Sequence, residues 1–114
     1  MNTKISYMYR DASNYKAHRE IVVEGELSLS EIEGVLEDGE NFIPYQVGVE
    51  ELQEELTSFP SEDDHVWHEL VAVEATSNEP TEVISAEELK RNFILAGEKG
   101  WDVSGAMERL GISI

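Results

Sequence analysis

An α+β fold follows from three features of the sequence: an alternating and β-branched N-terminal third, two capping-box sequences that open helical periodicity, and glycines standing where those helices would end. The expected architecture is a small antiparallel sheet with three to four short helices packed on it, in one domain over residues 1–114. A chain of 114 residues buries roughly two-thirds of its unfolded surface, enough for one core. With 40% apolar residues, including Trp67, Trp101, four tyrosines and three phenylalanines, the chain has too much apolar material for an acidic disordered tail.

Ile5, Tyr7 and Tyr9 alternate with Ser6, Met8 and Arg10, the period of a half-buried strand. His18 to Glu26, centred on Ile21, Val22 and Val23, reads as a second strand, and the turn-forming Asp11-Ala12-Ser13-Asn14 joins the two as an antiparallel hairpin. Ser28-Leu29-Ser30-Glu31 matches a capping box with Leu27 and Ile32 as its staple, predicting a helix with Leu29, Ile32 and Leu36 on one stripe and Gly39 at its end. Phe42-Ile43-Pro44 is short and extended, because a residue preceding proline is pushed out of the α region. A second helix is expected from Val49 to Leu56, with Val49, Leu52 and Leu56 inward and Glu50, Glu51, Glu54 and Glu55 on its outer face.

Pro60 to Asp64 is an acidic loop, and His65 to Glu74 reads as a strand, although Val66, Trp67, Leu70 and Val71 also suit a helix. Pro80 marks a further loop before the second capping box, Ser85-Ala86-Glu87-Glu88, with Ile84 and Leu89 as its staple. That box opens a third helix to about Glu98, with Gly100 just beyond it. Asp102 is the N-cap expected for a last short helix through Leu110, stopped by Gly111.

Charge is the strongest functional signal. The net charge is −17, and between Arg19 and Lys90 there is no lysine or arginine, while 21 acids stand from Glu20 to Glu88. A field of that sign repels phosphate backbones and anionic headgroups and draws in basic partners at rates that fall with added salt. No direct nucleic-acid or membrane binding is therefore expected. A halophile's solvating surface is the bland alternative, but the 20 glutamates against five aspartates lie mostly in one segment, as helix faces would.

Catalytic and cofactor signatures are missing, and no enzymatic activity or cofactor is expected. With no cysteine there are no disulfides, thiolate metal sites or cysteine nucleophiles, which fits a reducing compartment. Ser28, Ser30 and Ser85 stand where helix caps belong, and no phosphate-cradling glycine motif or calcium loop is present. The one stretch of metal-ligand types is Asp63-Asp64-His65-Val66-Trp67-His68-Glu69. On a strand His65 and His68 point to opposite faces, and the HxxHE order is not that of zinc peptidases. A small metal-dependent enzyme using Asp64, His65, His68 and Glu69 is thus the minor reading. Tyr7, Tyr9, Tyr15 and Trp67 are a candidate aromatic patch; alternation places Tyr7 and Tyr9 in the core and leaves Tyr15 and Tyr45 as surface candidates.

The remaining candidates for partner binding are the acids Glu33, Glu37, Asp38, Glu40, Glu50, Glu51, Glu54, Glu55, Glu62, Asp63 and Asp64. On a helix rising about 1.5 Å per residue, carboxylates recur every few ångströms, comparable to about 3.4 Å per phosphate on one DNA strand. In size and charge the chain resembles the small acidic proteins with which phages and mobile elements inhibit host restriction or CRISPR nucleases. That resemblance implies a nucleic-acid mimic occupying the basic channel of a nuclease or other nucleic-acid-binding protein. The rival is an adaptor or structural domain docking a basic protein of another kind. No apolar run reaches the roughly 20 residues of a membrane span, and Met1 to Tyr9 has one lysine and a short alternating run rather than the apolar region of a signal peptide, so a cytoplasmic location is the expectation.

Overall fold

A computed structural model describes residues 1–112. Four antiparallel strands form one sheet in the order β2-β1-β4-β3, with β1 Asn2–Arg10, β2 Lys16–Val23, β3 Asn41–Phe42 and β4 His68–Thr76. Three α-helices accompany it: α1 Pro44–Val47, α2 Ala86–Lys99 and α3 Val103–Leu110.

The hairpin forms where the alternation predicts it. Asp11 Oδ1 accepts the Tyr15 N–H at 2.9 Å and Asn14 takes φ +68°, a left-handed conformation that asparagine tolerates, so β2 returns along β1. Register then decides the two faces. Thr3, Ile5, Tyr7 and Tyr9 face Val23, Ile21, Arg19 and Ala17 on the covered side, where all of these but Arg19 are buried. The even-numbered residues of β1 and β2 occupy the open side.

α2 and α3 start and stop on local signals. Ser85 Oγ accepts the Glu88 N–H at 3.1 Å while Glu88 Oε1 accepts the Ser85 N–H at 3.3 Å, the reciprocal box expected from sequence. Asp102 Oδ1 accepts the Gly105 N–H at 2.9 Å, and Gly111 ends α3 at φ +71°. Leu89, Phe93 and Ala96 turn inward from α2, and Phe93 lies 5.3 Å from Phe42, which in turn meets Tyr7 edge-on at 5.6 Å.

Two predicted helices are absent as such. From Ser28 onward the capping box forms, but it opens only a 3-10 turn at Leu29–Glu31, followed by another at Glu33–Val35. Leu29 is exposed, whereas Ile32 and Leu36 are buried. A ten-residue helix has little stability of its own, and here packing overrides it: Val35 sits so close to Gly97 of α2 that a Cβ on Gly97 would lie 2.6 Å from the Val35 Cβ. Val49 to Leu56 is irregular apart from one 3-10 turn at Gln53–Glu55. Its donors are used across the fold: the Leu52 N–H goes to His68 Nε2 at 3.0 Å and the Gln53 amide to the His65 carbonyl at 3.0 Å. The ambiguous run after Asp64 is a strand, beginning at His68 rather than His65, and β2 runs from Lys16 and stops at Val23, three residues short of Glu26.

Candidate functional site

Strand register sorts the charges before any single site is considered. The open face of the sheet carries Lys4, Arg10 and Lys16 and, against them, Glu20, Glu69 and Glu74. Lys4 Nζ lies 3.7 Å from Glu20 and Arg10 Nε 3.2 Å from Glu69. Three basic and three acidic side chains balance there, so the remaining five basic and 22 acidic residues, on the covered side and in the loops and helices, carry the whole −17.

Of the partner-binding acids expected from sequence, Glu33, Glu37, Asp38, Glu40, Glu54 and Glu62 are exposed. Glu33 lies in the second 3-10 turn, Glu37, Asp38 and Glu40 lie in the bend leading into β3, and Glu54 lies in the turn before β4. Glu50 and Glu55 are also exposed but not free, because both carboxylates close on the guanidinium of Arg19. That contact holds Arg19 above its ordinary value, chiefly through the Glu50 hydrogen bond. The sequence suggests no local ion pair for this acidic segment. Arg19 supplies one from 31 residues away, at the β2 position facing Tyr7.

Two of the expected surface acids, Asp64 and Glu51, face inward instead, and Asp63 is half-buried. Asp64 is buried: its Oδ1 accepts the Tyr9 O–H at 2.6 Å and its Oδ2 accepts the Ser61 N–H at 2.8 Å. Asp63 is half-buried and accepts from Ser13 Oγ at 2.5 Å. Glu51 does not stand on an outer helix face, since no helix forms. Its Oε1 accepts the Tyr45 N–H at 3.3 Å at the start of α1, and its Oε2 is buried with no hydrogen-bond partner. Burial pushes the Glu51 carboxyl above the usual carboxylate range, with the Gln53 side chain, the Tyr45 N–H and Arg109 pulling the other way.

The histidine segment is a structural brace. His65 Nδ1 accepts the Trp67 N–H at 3.0 Å, leaving Nε2 to donate to the Arg10 carbonyl at 2.6 Å. His68 is fully buried between Tyr7, Tyr9 and Phe42, with ring centroids at 6.1, 5.3 and 6.3 Å. Because its Nε2 accepts the Leu52 N–H, its proton resides on Nδ1, 3.4 Å from the Val66 carbonyl. Desolvation pushes the ring down to about 3, outweighing the Val66 carbonyl contact that favours a charged ring; the Glu51 carboxyl lies 3.9 Å from Nδ1. Glu69 lies across the sheet with Arg10, so Asp64, His65, His68 and Glu69 do not converge. Among the described residues no group of three or more such side chains is placed to hold a metal ion.

The tyrosines divide as their positions imply. Tyr7 and Tyr9 are buried, donating to the Glu50 carbonyl at 2.8 Å and to Asp64, and burial raises both phenols well above the ordinary tyrosine value. Tyr15 is exposed, and Tyr45 is half-buried beneath the Arg109 guanidinium, which lies 4.5 Å from its ring centroid. No helix among the described residues is long and apolar enough to cross a membrane. Comparison with known proteins found no matching family model, curated protein or solved structure.

Proposed function

We propose that this chain is an acidic protein-binding module that receives a basic protein on the side of the molecule away from the open sheet face. The observation that carries this reading is the charge partition: the sheet's outer face is neutral, and every unit of the −17 lies elsewhere. A one-sided field of this kind orients a basic partner during approach and raises its association rate. Glu33, Glu37, Asp38, Glu40, Glu54 and Glu62 are the contact acids, since they are exposed and, among the described residues, none closes on a basic side chain within 4.0 Å. Glu50 and Glu55, which share the one positive charge of Arg19 and so keep a net −1 between them, contribute less.

A nucleic-acid-handling protein is the partner class that such a surface suits, with the module acting as a mimic and inhibitor. The adaptor reading is separated from it by competition. Immobilised protein is challenged with nuclease-treated lysate at low salt, and the captured partner is then exposed to duplex DNA. Displacement by DNA is expected for a mimic, whereas a partner that stays bound and has no affinity for DNA makes the module an adaptor. In parallel, changing Glu33, Glu37, Glu40 and Glu54 together to lysine should leave the fold intact and slow association by about tenfold or more at low salt. An unchanged rate and salt dependence would remove the acidic surface from the argument.

A further inference from the structure

We propose that the open stretch of the β2 edge pairs with the same edge of a second copy of this chain, extending the four-stranded sheet across a two-fold axis at His18. β2 is the outermost strand on its side of the sheet. Its edge is covered at one end only: the Thr81 N–H donates to the Val22 carbonyl at 2.8 Å, the Val22 N–H donates to Thr81 Oγ1 at 2.9 Å, and the Ala86 N–H donates to the Glu24 carbonyl at 2.8 Å. Those bonds establish which residues turn their backbone outward. By the alternation of an antiparallel ladder, Lys16, His18 and Glu20 share the outward orientation of Val22. Among the described residues their outward N–H and C=O groups have no partner.

Charge selects a second copy and one register. If His18 faces His18 of the second copy, Lys16 faces Glu20 of that copy and Glu20 faces its Lys16, so both flanking pairs are of opposite sign. All three pairs are of the hydrogen-bonded type, giving about six backbone bonds. Pairing ends where the fold already ends it, because Asn14 leaves the strand at φ +68° and Val22 is taken by Thr81. The edge borders the neutral sheet face, Glu50 and Glu55 near it share the charge of Arg19, and Glu24 and Glu82 stand at the covered end, outside the residues that pair. Charged side chains on a sheet edge ordinarily prevent pairing. Here their alternation in sign makes the edge complementary to itself.

Sedimentation equilibrium at protein concentrations up to about 1 mM in 0.5 M salt tests this independently of any basic partner, the salt being chosen to screen the net repulsion. A monomer–dimer equilibrium is expected for the native chain. Glu20→Lys and Lys16→Glu, each placing like charges opposite one another, should weaken the dimer about tenfold, and the double swap should restore it. His18→Pro removes an outward N–H and no bond to β1, so it should abolish the dimer while leaving the circular dichroism unchanged. The charge variants keep the test intact if the proline variant fails to fold. A native chain that stays monomeric throughout, or a dimer indifferent to the single charge reversals, overturns the proposal.

Discussion

Acid should weaken this protein through one buried ring. His68 is held neutral, with burial lowering it from 6.5 to about 3, and in the unfolded chain it regains its ordinary value. The folded state therefore binds fewer protons than the unfolded state at any pH between those values. Stability is fully present above about 6.5 and is lost as pH falls below it. At pH 5 the unfolded ring is almost wholly charged and the folded one is not, a loss of about 2 kcal/mol relative to pH 7.5. Glu51 works in the opposite direction, since its raised carboxyl makes the folded state bind more protons, and easing the overall −17 repulsion at low pH also stabilises. His68→Gln isolates the ring's contribution: the amide oxygen replaces Nε2 as acceptor for the Leu52 N–H and carries no titrating group. Urea unfolding followed by the fluorescence of Trp67 and Trp101 should show the variant less stable at pH 7.5, because packing against Tyr7, Tyr9 and Phe42 is lost. The gap should then narrow by about 2 kcal/mol by pH 5. A gap that stays constant within about 0.5 kcal/mol, or a His68 ring resonance titrating near 6.5 in the folded protein, would refute the reasoning.

Two further outcomes are expected. Glu51→Gln keeps an oxygen for the Tyr45 N–H and removes a buried charge, so it should stabilise by about 1–2 kcal/mol at pH 8. Because the folded carboxyl is raised, this gain should shrink as pH falls toward 4.5; a variant less stable than the native protein at pH 8 contradicts the assignment. Gly97→Ala forces a methyl against the Val35 Cβ and should lower stability by about 1–3 kcal/mol, seen as a lower thermal midpoint; no change would mean that the contact between α2 and the Glu33–Val35 turn is not tight.

What the chain's own sequence determined is what short-range chemistry controls. The hairpin closes on Asp11 and Asn14, α2 opens on the Ser85–Glu88 box, and α3 runs from Asp102 to Gly111, because each signal is satisfied within four residues or so. Strand alternation likewise buried Tyr7 and Tyr9, and counting charges located the acidic segment. Only the tertiary structure decided the fate of Ser28 to Asp38 and of Val49 to Leu56, both helical by pattern. Val35 must meet Gly97, and the Leu52 N–H is spent on His68, contacts made by residues 62 and 16 positions apart that no local period encodes. The same reason governs the candidate site. Glu33, Glu37, Asp38, Glu40, Glu54 and Glu62 are exposed as their residue types imply, whereas Glu50 and Glu55 meet Arg19, Asp64 meets Tyr9, and Glu51 turns inward toward His68. A carboxylate reads alike in sequence whether it meets water or a distant donor, and the fold alone brings that donor to it.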